Sequence, residues 1–250
     1  MKKSEKAKKL FIGTSGWSYD HWRGVFYPDG MKSSDYLKYY TTKFDCVELN
    51  SSFYHLPKPK TVEGWMERTP DNFQFCPKMS RFITHRKRLH DIDEPVENFF
   101  EVINPMQKKS GPVLVQLPPG LEYNESRLHH FLNVLKEKHS DFRFAIEVRD
   151  ESWLNDDLFK LLADYNASFV ISDSGGHYPY SDVVTADFVY LRFHGREKLY
   201  ASVYDKNMLQ PYASKIDHWL KEDHDIWVFF NNDYEGHAVK DAEKLTEMLF

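Results

Sequence analysis

The sequence predicts a (β/α)8 TIM barrel, and three observations predict it. Eight apolar runs of strand length, rich in Val, Ile and Phe, recur along the 250 residues. Helical patterns lie between several of them, and alternating strands and helices pair in parallel through right-handed crossovers. Most of the runs end in polar or charged residues, as barrel strands do at the C-terminal mouth where active sites sit. An open doubly wound sheet is the alternative. It usually has fewer strands and often a Gly-rich first turn, which GTSGWSYDHW (13–22) is not.

The elements follow in order. Residues 1–9, MKKSEKAKK, read as a solvated, flexible basic tail, because no apolar segment of a signal peptide follows them. Residues 10–250 read as a single barrel domain, with no low-complexity linker to divide it. The first strand is Leu10–Thr14, and Ser33 or Ser34 can cap a helix through DYLKYYTTKF. Cys46–Asn50 and Phe73–Lys78 are the next two strands. The stretch Ser80–Gly111 is unusually long and reads as an insertion after strand three, over the active face, with a helix around Val96–Ile103. Strand four is Val113–Leu117. Asn124 caps the next helix, whose Leu128, Phe131, Leu132 and Leu135 form one stripe. Strand five is Phe142–Val148, followed by a helix capped by Asn155. Ser168–Asp173 and Phe188–His194 are strands six and seven. MLQPYASKIDHWLKE supplies a helix, Ile226–Asn231 the last strand, and HAVKDAEKLTEML the last helix.

Composition narrows the classes. Hydrophobic residues make up 41%, enough for a substantial core. A net charge of −5 argues against a generally basic, DNA-coating protein but leaves room for a local basic groove. No run approaches the ~18 uninterrupted apolar residues of a membrane span. The two cysteines, Cys46 and Cys76, lack metal-type spacing and read as core residues of a reduced, cytoplasmic protein.

Residues two apart in a strand share a face. In FRFAIEVRDESW, Glu147 and Arg149 share one face with Ala145, while Ile146 and Val148 take the other. The outer face of a barrel meets helices and is apolar, so Glu147 and Arg149 point inward at the mouth. The pattern recurs with Glu48 and Asn50, Lys78, Gln116, Asp173, Arg192 and His194, and Asn231 with Asn232 beside it. A salt-bridge network that merely closes the barrel is the structural alternative. Burying charges that are not well paired costs several kcal/mol each, which favours a site.

Glu48, Lys78, Glu147 and His194 are the candidate acid–base groups, with a carboxylate accepting a proton and Lys78 or His194 donating one. Arg149 and Arg192 can clamp a phosphate or carboxylate through paired hydrogen bonds. Glu48 and Glu147 can also form a glycosidase-like pair, whose separation decides the mechanism. Glu48, Glu147, Asp173 and His194 offer ligands to Mg²⁺ or Mn²⁺. Three cations compete for that space, so no metal is assigned and the cofactor is left undetermined. Trp17, Tyr19, Trp22, Tyr54 and Trp153 lie in mouth loops and can stack on a sugar or base. Phe26, Tyr27 and Phe53 read as loop packing. The basic run THRKRLH (84–90), with His85, can meet a phosphate backbone if it folds over the mouth. Gly195-Arg196 and Asn231-Asn232 follow strands seven and eight, where barrels often hold phosphate. No P-loop, dinucleotide fingerprint or nucleophile elbow occurs.

Seven segments carry a resemblance: IGTSGWSYDHWRGVFYP, VELNSSFY, THRKRL, VLVQLPP, AIEVRDESW, YLRFHG and VFFNNDYEGHA, in order from Ile12 to Ala238. With them the chain resembles the domain-of-unknown-function 72 (YecE-like) family of TIM barrels. The resemblance implies a (β/α)8 fold and a shared site. That site would be formed by Trp17, Tyr19, Trp22, Glu48, Asn50, Phe53, Tyr54, Lys78, Thr84, His85, Gln116, Glu147, Arg149, Trp153, Arg192, His194, Asn231 and Asn232; the resemblance supplies no reaction. One departure is the acidic Asp233–Glu235 segment, where a more basic or histidine-bearing loop is expected. The expected function is a cytoplasmic enzyme using acid–base chemistry on a small polar or phosphorylated ligand, sugar- or nucleotide-like. An endonuclease-like, nucleic-acid-processing enzyme and a non-catalytic ligand-binding protein are the alternatives.

Overall fold

The structure is a computed structural model that describes residues 10–250. The basic tail, residues 1–9, lies outside the described residues. Eight strands are present: β1 (Leu10–Ser15), β2 (Cys46–Leu49), β3 (Gln74–Pro77), β4 (Val113–Gln116), β5 (Phe144–Glu147), β6 (Ser168–Asp173), β7 (Phe188–Phe193) and β8 (Asp225–Phe230). All pair in parallel, in the order β3-β2-β1-β8-β7-β6-β5-β4. The seam between β3 and β4 is joined by bridges at Phe75–Ser110 and Lys78–Leu114. There the Met79 and Gly111 amides donate to the Leu114 and Phe75 carbonyls at 2.8 Å each. This is the predicted (β/α)8 barrel, with strand boundaries within two residues of those read from the sequence.

The helices are α1 (Tyr36–Tyr40), α2 (Ser51–Tyr54), α3 (Pro59–Glu67), α4 (Asp93–Ile103), α5 (Glu125–Lys138), α6 (Asp156–Asp164), α7 (Lys206–Lys221) and α8 (His237–Leu249). Asn124 and Asn155 cap α5 and α6, their side-chain oxygens accepting from the amides of Arg127 and Leu158. Ser33 and Ser34 do not cap α1; they form a 3-10 turn before it, and α1 stops at Tyr40. Helix α3 escaped the sequence reading. It opens on Pro59, whose missing N–H costs nothing in the first turn. The long stretch after β3 holds one wide π-type turn (Phe82–Arg86) and then α4, so it is largely the β3–β4 crossover itself. No helix separates β6 from β7; residues 174–187 form a loop. No helix among the described residues is long and apolar enough to cross a membrane.

Two hydrophobic layers follow from strand alternation. Residues of one parity, including Cys46, Cys76, Leu114, Ala145, Val170, Phe188, Tyr190, Trp227 and Phe229, fill the barrel. Those of the other parity pack against the helices in a second, larger cluster. Tyr40 reaches from α1 to bond the Thr14 backbone at 3.0 Å, fastening a helix to β1. Gly13 faces the neighbouring strand so closely that a Cβ there would lie 2.4 Å from the Cys46 carbonyl oxygen. Backbone must therefore move to admit a methyl group. Gly13→Ala is expected to destabilise the barrel by about 1–3 kcal/mol in urea denaturation, against no loss for Gly64→Ala in α3, where a Cβ meets only the flexible end of Arg68 at 3.7 Å.

Candidate functional site

At the C-terminal mouth the strand ends converge on one guanidinium. Arg192 of β7 donates from Nε to Glu48 Oε2 (2.9 Å), from Nη2 to Glu48 Oε1 (2.6 Å) and from Nη1 to Glu147 Oε2 (2.6 Å). Ser15 and Tyr190 donate to the two oxygens of Glu48 at 2.8 and 3.0 Å. Arg149, Ser172 and His194 each donate to Glu147 Oε1 at 2.9 Å. Both carboxylates are fully buried. Burial alone would raise their pKa values. Arg192 outweighs it at Glu48, and Arg149 with Arg192 outweighs it at Glu147, so both stay below the usual carboxylate range.

Ionised Glu147 only accepts, so the proton of His194 sits on Nε2, and Nδ1 accepts from Asn231 Nδ2 at 3.1 Å. Burial, helped by the charge of Arg192, lowers the His194 pKa to about 4 despite Glu147. The ring is therefore neutral at pH 7. It bridges Asn231 and Glu147 and carries no second, imidazolium proton at that pH.

Two cations remain outside the central pair. Arg149 uses one nitrogen on Glu147 and lays its guanidinium carbon 3.4 Å from the centre of the Tyr178 ring. Its Nε and Nη1 are buried without a partner. Lys78, two residues beyond Cys76 on the inner face, lays its amine 4.1 Å from the centre of the Phe53 ring. Among the described residues no carboxylate lies within ion-pair distance of it. Burial, reinforced by the positive charge of Arg192, lowers its pKa to about 7. Glu48 and Glu147 balance Arg192 and Arg149, so a protonated Lys78 leaves the cluster with one net positive charge.

The cluster is covered. Tyr178, from the loop after β6, and Tyr200, from the loop after β7, meet through their hydroxyls at 2.9 Å. Both rings stand edge-on to His194, at 5.6 and 5.8 Å. Tyr200 has φ +65, a left-handed conformation that is uncommon for an aromatic residue. Beside the mouth, between the loops after β1 and β2, a cavity of 380 Å³ is lined by Trp17, Tyr19, Asn50, Trp65 and Arg68, among others. Trp17 packs edge-on against Trp65, and Asn50 Nδ2 donates to the Ser15 carbonyl at 3.2 Å. Tyr19 bonds the same carbonyl. His85 packs edge-on, at 5.0 Å, to the same Phe53 ring that Lys78 touches; burial lowers the pKa of this imidazole to about 4. Gln116 is half-buried on the inward parity of β4.

Four predicted site residues are placed differently. Asp173 was expected to point inward, but on β6 the inward parity belongs to Val170 and Ser172. Asp173 instead forms a two-pronged pair with Arg196 at 2.7–3.0 Å on the outer side. Trp22 and Trp153 are buried and use their indole N–H groups on the carbonyls of Asp233 and Leu121, so they pin loops instead of offering a face to a ligand. Asn232 donates to the Ser202 carbonyl and to Asp241 Oδ2, at 2.9 and 2.8 Å, and joins α8 to the loop after β7. Tyr54 is 58% exposed, with its ring against Phe53. Most of the 84–90 basic run is spent locally. Lys87 pairs with Asp91, Arg88 bonds the Gly120 carbonyl, and Thr84 bonds His85. Ser15, Ser172, Tyr178, Tyr190 and Tyr200 escaped the sequence reading. Ser15 and Tyr190 were readable from parity, whereas Ser172 ends a strand that is apolar on both faces and the tyrosines of the two loops carry no periodic signal.

The arrangement bears on the chemistries raised by the sequence. A glycosidase pair needs one carboxyl kept protonated as the acid, and here one shared guanidinium holds both ionised. No group of three or more His, Cys, Asp or Glu side chains among the described residues is arranged to hold a metal ion.

Removing Arg192 strands two buried carboxylates. Arg192→Met is expected to cost about 3–5 kcal/mol in urea denaturation. Acid has a separate effect. His194 has a folded pKa of about 4 and an unfolded value near ~6.5, so the unfolded chain takes up a proton first as pH falls. Thermal stability is expected to decline from pH 6.5 to 4 and more steeply below ~4.3, where Glu48 and Glu147 resist protonation. His194→Gln keeps a donor for Glu147 and should flatten the upper limb; His85 retains part of the slope.

Comparison with known proteins agrees with this architecture. The sequence model of the family described as "Protein of unknown function DUF72" matches residues 11–250. The UPF0759 protein YecE of Escherichia coli (strain K12) is 35% identical over 141 residues, covering 56% of this chain. The chain spans about half of that relative's length, 48%. The UPF0759 protein YunF of Bacillus subtilis (strain 168) is 25% identical over 274 residues, covering 96% of this chain and 94% of its own. The crystal structure of a DUF72 family protein from Thermotoga maritima MSB8 superposes with a TM-score of 0.86 at 30% identity, covering 96% of this chain and 99% of that one. With the eight-stranded barrel and the family match extending to its last residue, this chain belongs to the DUF72 family.

Proposed function

We propose that the barrel mouth binds a small polar ligand carrying a phosphate or carboxylate and performs acid–base chemistry on it, with Lys78 as the proton carrier. The observation that carries this reading is Arg149, a buried guanidinium with two nitrogens, Nε and Nη1, whose N–H bonds no protein atom satisfies. Leaving such donors unpaired is costly, and an anionic ligand oxygen removes the cost. Lys78 adds a second cation with no anion of its own. Its pKa of about 7 lets it both take and give a proton near neutrality.

The remaining residues have supporting roles. Glu48 and Glu147 each accept four hydrogen bonds, so they act as fixed negative anchors and not as proton acceptors. Arg192 holds the two apart. His194 and Asn231 fix the orientation of Glu147 and through it Arg149. Trp17, Tyr19 and Asn50 line the neighbouring cavity, which suits the uncharged part of a sugar- or nucleotide-like molecule. His85 and Gln116 border the same mouth.

Arg149→Met, which keeps the bulk and removes the donors, is expected to weaken binding of inorganic phosphate and of simple phosphate esters about 10–100-fold in calorimetry. Equal affinity in the two proteins removes the reading.

A further inference from the structure

Lys78 has features that proton transfer does not use. Its amine is buried at the end of a rigid strand, touches an aromatic face and has no counter-ion, while the charges of Arg192 and Arg149 both reach it. An amine kept for an ion pair would be placed against Glu48 or Glu147, yet Arg192 holds both. From this placement we propose that Lys78 is a nucleophile that forms a Schiff base with an aldehyde or ketone bearing a carboxylate or phosphate, the anion resting on Arg149. This proposal rests on the reading of Arg149 as an anion site.

The chemistry follows from desolvation and neighbouring cations, which keep a lysine amine unprotonated and therefore nucleophilic. At pH 7 a solvated lysine with pKa ~10.4 is about 0.04% free amine, whereas Lys78, with its pKa lowered to about 7, carries a far larger share of free amine. The amine lone pair adds to the carbonyl carbon, and the carbonyl oxygen takes up a proton to give a carbinolamine. The hydroxyl then leaves as water, forming the carbon–nitrogen double bond of an iminium ion. The sum is one amine, one carbonyl and one proton in, one iminium and one water out. Phe53, against which the amine packs, helps keep bulk water from this bond.

The test traps the iminium in the intact protein. Wild-type protein at pH 7 is treated with borohydride in the presence of glyoxylate, pyruvate or dihydroxyacetone phosphate, and with dihydroxyacetone as the uncharged control. Peptide mapping by mass spectrometry then locates the reduced secondary amine. Lys78 should be modified at least ~100-fold more than any solvent-exposed lysine, given its larger free-amine fraction. The carboxylate and phosphate probes distinguish which anion the site prefers, and dihydroxyacetone should react far less. Lys78→Met, folded by circular dichroism, should lose the adduct. Absence of an adduct at Lys78 with every probe, or equal labelling of surface lysines, overturns the proposal. The two readings fail differently. Phosphate binding that needs Arg149 but yields no adduct overturns the Schiff base alone. Equal labelling of Lys78 by charged and uncharged carbonyls retains the nucleophile and overturns the role of Arg149.

Discussion

The mouth of this barrel is organised by the guanidinium of Arg192, held between the carboxylates of Glu48 and Glu147. These residues come from β2, β5 and β7, far apart in sequence, so the contact also fixes the spacing of three strands. A buried carboxylate with no partner would be protonated or expelled. Here each receives four donors, and the geometry of the planar fork matches them. The cost of desolvating three charges is offset because each carboxylate accepts four hydrogen bonds and Arg192 donates through all three of its nitrogens. That bonding holds both carboxylates ionised, with the cations Arg149 and Lys78 above them.

What lies above is asymmetric. Once Arg192 is neutralised, Arg149 balances the remaining carboxylate charge but satisfies it with a single nitrogen. Lys78 has no partner at all. An apolar, aromatic surround of Phe53, Tyr178 and Tyr200 makes each of these cations expensive to bury. The same surround makes them responsive to an anion, since Coulomb interactions strengthen as water is excluded. The neutral state of His194 belongs to the same economy. A third full cation beside Arg149 and Arg192 would be repelled, and the imidazole instead passes a hydrogen bond from Asn231 to Glu147.

Much of this was legible in the sequence, for a reason that particular residues show. Strand β5 reads Phe-Ala-Ile-Glu, with charge confined to one parity, so the inward direction of Glu147 and Arg149 could be assigned. Glu48 and Arg192 followed by the same contrast. Strand β6 reads Ser-Phe-Val-Ile-Ser-Asp and is apolar on both faces in its middle. Nothing in that run tells Ser172 from Asp173, so the sequence pattern alone does not assign the inward place to Ser172. Trp22, Trp153 and Asn232 failed for another reason. Their side chains close loops through single long-range hydrogen bonds to backbone or to α8, which no local spacing encodes. The covering tyrosines are likewise set by the folding of two loops. Sequence could locate the ring of charges but could not show that Arg192 uses up the carboxylates, because pairing among inward residues depends on distance.

The central claim is that the carboxylates are spent on Arg192 and leave an anion-seeking Arg149 and Lys78. It is tested most directly by calorimetric titration of sulfate, an anion with no proton of its own near neutrality, at pH 7.5 in two buffers of different ionisation enthalpy. Burial and the charge of Arg192 lower the Lys78 pKa to about 7, so part of it is unprotonated at that pH. A bound dianion raises that pKa, so binding should draw in protons, an uptake abolished in Lys78→Met. Sulfate heats that are identical in both buffers, or no saturable binding, would contradict the account.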